Sequence, residues 1–161
     1  MFARTGRLLL RPGWAEDAPV MAAALCRPHH AVGTEAHAAC VAAARAVLER
    51  PLPHARPHML ILRRGASAEL IGTISLIDRG GAVQLDCWIR PDCRNRGYAT
   101  EAGHATIAIA AMLGIARLEC PLATDPAAAA LLRKLGFRDA DNGLVLYCAA
   151  VPHDPIDRLA A

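Results

Sequence analysis

The 161-residue sequence lacks several features that would assign it to a broad functional class. Lys134 is its only lysine, so nearly all of its positive charge comes from arginine, which we interpret as a bias of the source genome. The net charge of +3 is too small to indicate nucleic-acid binding, and no dense basic run interleaved with aromatic residues supports that class. No stretch reaches the roughly 18 apolar residues of a membrane-spanning helix.

Its six cysteines and seven histidines also lack a recognisable pattern. No C-x-x-C pair occurs, and the N-terminal segment has only a three-leucine apolar core, so no signal peptide is visible. We therefore expect free, mostly buried thiols in a cytoplasmic protein. His29, His30 and His37 lie close together in the sequence, but no second cluster has zinc-type spacing, and we expect no metal.

What the sequence does contain predicts one globular domain over residues 1–161. Hydrophobic residues make up 54% of the chain, and no linker, repeat or low-complexity segment divides it. Periodicity and turn signals predict strands at Arg7–Pro12, His58–Arg64, Glu69–Ile77, Ala82–Ile89, Ala116–Leu122 and Gly143–Ala149. They predict helices at Trp14–Cys26, Glu35–Arg50 and Gly97–Leu113, and a fourth that begins at Pro126 and stops at Gly136.

This order predicts a mixed α+β fold with a central, mostly antiparallel sheet of about six to seven strands and about four flanking helices. The strands from His58 to Ile89 are expected to form an antiparallel meander. A right-handed crossover through the Gly97 helix is expected to make the two strands that flank it a parallel pair.

The most informative segment is the basic turn RPDCRNRGYATEA, which runs from Arg90 to Ala102. The first N–H groups of a helix have no internal partner, and the helix dipole is positive there. Gly97 has no Cβ, so a bulky anion could approach the backbone, and Arg94 and Arg96 supply positive charge. The turn therefore indicates a diphosphate site made of backbone amides, with an ordinary solvated loop as the alternative.

Longer stretches around this turn resemble the GNAT N-acetyltransferase superfamily, and most of all its RimJ/RimL-like branch. The stretches are WIRPDCRNRGYATEA, LGIARLEC and DPAAAALLRKLGF, together with RLLLRPGWAEDA near the N-terminus. The resemblance extends from Arg7 to Ala149 and implies a GNAT-like fold, with the parallel pair at the cofactor slot. It also implies an acetyltransferase that uses acetyl-CoA as its co-substrate.

The resemblance assigns the co-substrate to particular residues of this chain. The diphosphate is expected at the backbone amides of Arg94, Asn95, Arg96, Gly97, Tyr98, Ala99 and Thr100. The pantetheine arm is expected along the backbone of Trp88, Ile89 and Arg90. The Pro91 break would let that strand splay from the next one and open a slot for the arm.

The acceptor implied is a primary amine, on a protein N-terminus or a small molecule, which attacks the thioester directly and must lose a proton. Glu119 is the best-placed carboxylate by resemblance, although it could equally be an exposed strand residue or the partner of an arginine. Asp125 is the second candidate; it stands where the family usually has Asn and is also a helix cap. Asp86 is a third. Ala128 and Leu132 replace the Ser and Tyr that relatives carry, so the usual groups that protonate the leaving thiolate are missing.

Two other classes stay open. The missing side chains would suit a GNAT-like module that binds coenzyme A without turnover. An α+β interaction domain with a coincidental basic turn is the other. The segment CRPHHAVGTEAH, between the first two helices, would shape the acceptor site, but its residues do not identify the amine. We expect neither nucleic acid nor membrane as a partner, and both a homodimer and a monomer are compatible with the sequence.

Overall fold

The computed structural model describes residues 2–25, 34–50, 56–121, 125–141 and 143–148, and their strands form two sheets. The larger sheet contains β1 (Ala3–Arg4), β2 (Leu8–Pro12), β3 (His58–Arg63), β4 (Glu69–Arg79) and β5 (Ala82–Ile89). These five strands are adjacent in chain order and antiparallel throughout. The smaller sheet contains β6 (Arg117–Cys120), β7 (Arg138–Ala140) and β8 (Gly143–Tyr147), with β8 in the centre.

Within the described ranges, four α-helices accompany the sheets, as the sequence predicts. They are α1 (Ala18–Leu25), α2 (Thr34–Leu48), α3 (Tyr98–Met112) and α4 (Pro126–Lys134). The predicted helix at Trp14 begins instead as a 3-10 turn over Ala15–Asp17, in which the Asp17 carboxylate accepts from the Trp14 N–H at 2.8 Å. The predicted mixed α+β fold is therefore confirmed. None of the helices in the described ranges is long and apolar enough to cross a membrane.

Two apolar cores hold the elements together, one on each face of the larger sheet. In β3, Met59 and Ile61 face the core beneath α3 and α4, whereas Leu60 and Leu62 face the core beneath α1 and α2. The sequence of β3 is a continuous apolar run, Met59–Leu62, because both faces of the strand are buried. The first core is the larger, and it fixes the position of α3 against the sheet.

One expectation about the sheet needs correction. The strands before and after α3 are β5 and β6; they contact each other, but no ladder of described residues joins them. In place of the predicted single sheet with a parallel pair, the described residues form two sheets, and we call the break in hydrogen bonding between β5 and β6 the gap. A side chain spans the gap instead of a backbone ladder: Sγ of Cys120 lies 3.7 Å from the Leu85 carbonyl oxygen. The splay predicted at the end of β5 stays a prediction.

The cysteines are mostly as expected. Cys87, Cys93, Cys120 and Cys148 are free, and burial, aided by the charge of a neighbouring aspartate, raises the pKa of the Cys87 thiol to about 12. Cys40 is disulfide-bonded, so the expectation of free thiols is wrong for that residue. Cys26 lies outside the described residues.

Gly72 in β4 allows β5 to approach closely, and this contact can be tested. A Cβ at Gly72 would lie 2.2 Å from the Trp88 carbonyl oxygen and 3.2 Å from the Ile89 Cα, both of them backbone atoms. We expect Gly72→Ala to lower the free energy of unfolding by ~1–3 kcal/mol, the usual cost of overpacking. The measurement is urea unfolding. Gly65→Ala is the matched control, since its Cβ would meet only the Ser67 carbonyl at 3.6 Å. Equal effects of the two changes would contradict the close approach.

Candidate active site

The loop that leaves β5 is built to reverse the chain into α3. Residues Pro91–Cys93 form a 3-10 turn, in which the Cys93 N–H donates to the Arg90 carbonyl at 2.9 Å. Asn95 (φ 59°) and Gly97 (φ 77°) then adopt the left-handed backbone conformation, and α3 begins at the next residue. Glycine adopts that conformation without steric cost and asparagine tolerates it better than most residues, so this sequence favours the turn.

Six successive backbone amides at this turn make no hydrogen bond to any described residue. They are the N–H groups of residues 95–100; the first amide of α3 that is paired is Glu101, which donates to the Gly97 carbonyl at 3.0 Å. Residues 95–97 are exposed, and residues 99 and 100 are half-buried. Unpaired donors at a positive helix end are the elements of an anion site, so the structure brings together the residues that the sequence predicts.

The arginines around these amides have different surroundings. Nε of Arg94 donates to the Ile89 carbonyl at 3.0 Å, which ties Arg94 to the end of β5, while Arg96 is exposed. Arg90 is held by two carboxylates, Asp92 at 2.6 Å and Glu69 at 2.5 Å, so its charge is neutralised locally. Arg94 and Arg96 therefore supply the free positive charge that the sequence predicts for this turn.

A further arginine, Arg7, reaches the turn from the connection between β1 and β2. Its Nη1 donates to the Arg96 carbonyl at 3.0 Å, and its guanidinium lies 4.6 Å from the centre of the buried Tyr98 ring. Sequence reasoning missed this residue because 89 residues separate it from Arg96. No local pattern reports a contact over that separation.

The phase of the β4–β5 ladder determines which backbone groups of β5 face the gap. The Arg90 N–H donates to the Ile71 carbonyl at 2.8 Å, and bonded and non-bonded pairs alternate along an antiparallel ladder. Trp88, opposite Thr73, therefore also directs its backbone groups toward β4. Ile89 and Cys87 direct their backbone groups away from β4, to the side where no strand of the described residues pairs with β5. Of the three residues predicted to bind the pantetheine arm, only Ile89 directs its backbone groups toward the gap, and Cys87, which was not predicted, does so as well.

Polar side chains form a row across one face of the larger sheet beside this gap. His58, Ser75 and Asp86 lie directly opposite one another on β3, β4 and β5. Nδ1 of His58 is hydrogen-bonded to the Ser75 hydroxyl, and its buried Nε2 has no partner among the residues that the structure describes. Burial lowers the pKa of His58, and the charge of Asp86 offsets this in part. Asp86 itself is exposed, so the row ends in an accessible carboxylate at the edge of the gap.

Glu119 lies on β6, across the gap from this row. Its side chain is 36% exposed and forms an ion pair with Arg117 at 2.8 Å. Both residues line a cleft of about 230 Å³ that also includes Gln84 of β5. Glu119 is thus an arginine partner, as one interpretation of the sequence allows, and it also borders a space large enough for a small ligand.

Asp125 has the structural role that its sequence context predicts. It is the N-cap of α4, and its carboxylate accepts from the Ala127 N–H at 2.9 Å. Leu132 on the same helix is 7% exposed and belongs to the apolar core, so it does not face a site. Residues 122–124 lie outside the described ranges, and so do His29 and His30. Within those ranges, no group of three or more His, Cys, Asp or Glu side chains could hold a metal ion.

The cap at Asp125 predicts a clear order of stability among substitutions. We expect Asp125→Ala to lower the free energy of unfolding by ~0.5–2 kcal/mol, since the Ala127 N–H loses its acceptor. Asp125→Asn is expected to stay close to the wild type, because Asn caps a helix about as well as Asp. Chemical denaturation of the three proteins measures both differences. A large loss of stability in Asp125→Asn would show that the negative charge, and not the cap, is needed.

Comparison with known proteins agrees with this geometry. Residues 7–138 match the acetyltransferase (GNAT) domain, which is most of the chain. The protein belongs to the GNAT acetyltransferase family, which uses acetyl-CoA. The comparison with curated proteins gives no match.

Solved structures with the same fold include several acetyltransferases. RimL, a ribosomal-protein alpha-N-acetyltransferase in complex with coenzyme A, has a TM-score of 0.66 at 16% identity, over 94% of this chain and 100% of its own. A ribosomal-protein-alanine acetyltransferase from Vibrio fischeri has a TM-score of 0.63 at 14% identity, over 92% and 97%. The microcin C7 self-immunity acetyltransferase MccE, in complex with acetyl-CoA and AMP, has a TM-score of 0.60 at 13% identity, over 91% and 94%. At these identities the likeness shows the fold alone.

Proposed function

We propose that this GNAT acetyltransferase transfers the acetyl group of acetyl-CoA to a primary amine by direct attack of the amine on the thioester. The observation that carries the proposal is the row of six unpaired amides at residues 95–100, beside the gap between β5 and β6. The amides suit the diphosphate, since they present successive donors at a positive helix end. The gap suits an extended arm, because one wall of it is an unpaired strand edge.

We propose the following assignment of the parts of acetyl-CoA to the parts of the site. The diphosphate binds the amides of residues 95–100, with Arg94 and Arg96 supplying charge. The pantetheine arm pairs with the backbone groups of Ile89 and Cys87 that face the gap. Since the Ile89 carbonyl already accepts from Arg94, the arm uses the Ile89 N–H and both backbone groups of Cys87. Trp88 and Arg90 support the arm only indirectly, because their backbone groups face β4.

The reaction requires one nucleophilic attack and one proton acceptor. The nitrogen of the neutral amine forms a bond to the thioester carbon, and a backbone N–H at the gap stabilises the oxyanion. The C–S bond then breaks, coenzyme A leaves as a thiolate, and solvent protonates it. The proton lost by the amine passes to a carboxylate, directly or through water. We assign this role to Glu119, which borders the cleft between the two sheets, with Asp86 and Asp125 as the competing groups.

The acceptor is a primary amine of a protein N-terminus or of a small molecule. Two of the solved structures named above are ribosomal-protein acetyltransferases, which supports an N-terminal amine and the RimJ/RimL-like branch. The cleft beside Glu119 has space for a short chain end or a small amine. A panel of N-terminal peptides and small amines, assayed by release of the coenzyme A thiol, identifies the acceptor class.

A second candidate is a coenzyme A-binding module without turnover. The observations that favour it are the ion pair that neutralises Glu119 and the burial of Leu132, at the position where other GNAT enzymes carry a tyrosine. Both candidates bind coenzyme A, so binding does not separate them. Steady thiol release from acetyl-CoA with any amine of the panel excludes the module.

Acetyl-CoA binding is tested first, by melting. Acetyl-CoA at a hundredfold excess over its dissociation constant is expected to stabilise the fold by about 2.7 kcal/mol through mass action. NADH and ATP at the same concentration are expected to do much less, because neither carries a pantetheine arm. An equal shift of the melting temperature from all three would mean a generic anion site.

The proton acceptor is tested by substitutions that keep the shape of the side chain. We expect Glu119→Gln to lower kcat by ~10²–10⁴-fold with acetyl-CoA affinity unchanged, the range for loss of a general base. Asp86→Asn and Asp125→Asn are expected to have smaller effects on the same amine. Asp139→Asn is the matched control, since this exposed carboxylate pairs with Arg133 of α4 and does not line the cleft. A large loss in Asp86→Asn or Asp125→Asn alone would move the assignment to that residue.

A further inference from the structure

The connection between β1 and β2 is attached to the start of α3 through a single carboxylate, that of Glu101. The Thr5 hydroxyl and the Arg7 backbone N–H both donate to Oε1, at 2.5 Å and 2.9 Å. Nε of Arg7 donates to Oε2 at 2.7 Å. These three bonds join the N-terminal strands to the first turn of α3, which presents the unpaired amides.

Arg7 makes two more contacts with the loop itself. Its Nη1 donates to the Arg96 carbonyl at 3.0 Å, and its guanidinium lies over the Tyr98 ring. Nη2 makes no hydrogen bond to any described residue, and it lies 3.4 Å from the position that a Cβ would take on Gly97. The two N–H donors of Nη2 belong to a permanently charged group and are therefore available beside Gly97, the residue that precedes α3.

The charge of Glu101 explains why an arginine is needed at this place. Burial alone would raise the pKa of Glu101, but the hydrogen bonds from Thr5 and Arg7 outweigh burial and lower the pKa. The carboxylate is therefore ionised, and in the first turn of α3 it would repel a bound diphosphate. Arg7 neutralises this charge and still has donors left, because a guanidinium carries five N–H groups in a planar fork.

From this geometry we infer that Arg7 is a diphosphate-binding residue of the acetyl-CoA site, which donates through Nη2 while its other contacts hold the loop at Arg96 and Tyr98 in place. The inference rests on the proposed function, because it takes the anion at the loop to be the diphosphate of acetyl-CoA. This role differs from a general effect of positive charge, because it requires the several N–H donors of a guanidinium at position 7.

The experiment compares four proteins with all 161 residues at 0.15 M salt: the wild type, Arg7→Ala, Arg7→Lys and Arg4→Ala. Arg4 is the matched control, since it is exposed on β1 and its side chain makes no hydrogen bond within the described residues. We expect Arg7→Ala to weaken coenzyme A binding about 10–100-fold, the range for loss of charge-assisted hydrogen bonds. Arg4→Ala is expected to change binding less than about threefold, because salt screens exposed charges over roughly 8 Å. Isothermal titration calorimetry measures the four dissociation constants.

Arg7→Lys distinguishes the donor geometry of the guanidinium from its positive charge. It remains informative if Arg7→Ala does not fold. A lysine keeps one positive charge near Glu101 but cannot also reach Arg96 and the diphosphate, so we expect it to bind coenzyme A almost as weakly as Arg7→Ala. Full binding by Arg7→Lys would overturn the inference, and so would equal losses in Arg7→Ala and Arg4→Ala. A wild type that binds no coenzyme A would instead overturn the proposed function.

A kinetic comparison distinguishes contact with the diphosphate from general damage to the fold. With one accepted amine, Arg7→Ala is expected to raise the KM for acetyl-CoA about 10–100-fold, with kcat close to that of the wild type. With S-acetylpantetheine, which has no diphosphate, Arg7→Ala and the wild type are expected to have the same kcat/KM. An equal loss with both donors would mean that Arg7 only supports the fold.

Discussion

The one-sided pairing of β5 is the constraint on which the rest of the site depends. On one side, β5 is hydrogen-bonded to β4 along its whole length, and on the other it has no partner strand among the described residues. An unpaired strand edge is costly unless something else satisfies its N–H and C=O groups. In this protein two side chains satisfy part of the edge, Cys120 at the Leu85 carbonyl and Arg94 at the Ile89 carbonyl. The backbone groups left free lie where a ligand can pair with them.

The start of α3 carries an acidic residue where we propose that an anion binds, and residues distant in the sequence compensate its charge. A helix N-terminus favours acidic side chains, and Glu101 stands in the first turn of α3. The same end is proposed to bind a diphosphate, which an ionised carboxylate repels. Thr5 and Arg7 compensate that carboxylate, and they come from the far end of the chain. The opening strands are thus connected to the site as well as to the core.

The two faces of the larger sheet have different consequences for chemistry. One face packs against α3 and α4, and it is apolar at the gap. The opposite face carries the row of His58, Ser75 and Asp86, with Glu119 on the neighbouring sheet. Because side chains alternate along a strand, core residues of β5 alternate with residues such as Asp86 on the face of the polar row. A change in register by one residue would exchange the two sets.

Much of the fold and part of the site follow from local pattern. The alternation in β5, the cap at Asp125 and the basic turn before α3 are short-range signals, and the structure contains all three. The sequence missed β1 and β7, which have only two and three residues and are too short for a periodic signal. It also predicted one sheet where the described residues form two. Strand pairing is a property of two segments at once, so the local pattern of either strand does not predict it.

What the sequence alone determined is therefore the class of fold and the location of the turn that we propose as the anion site. Glycine and asparagine allow a left-handed turn, a helix start leaves amides unpaired, and both properties belong to a few consecutive residues. Only the tertiary structure decided that the backbone groups of Ile89 and Cys87, and not those of Trp88, face the gap. Their direction depends on the phase of the hydrogen-bond ladder with β4. The tertiary structure alone placed Arg7 beside Gly97 as well. The physical reason is the same in both cases: hydrogen-bond phase and long-range ion pairs are properties of two segments at once, and neither segment encodes them by itself.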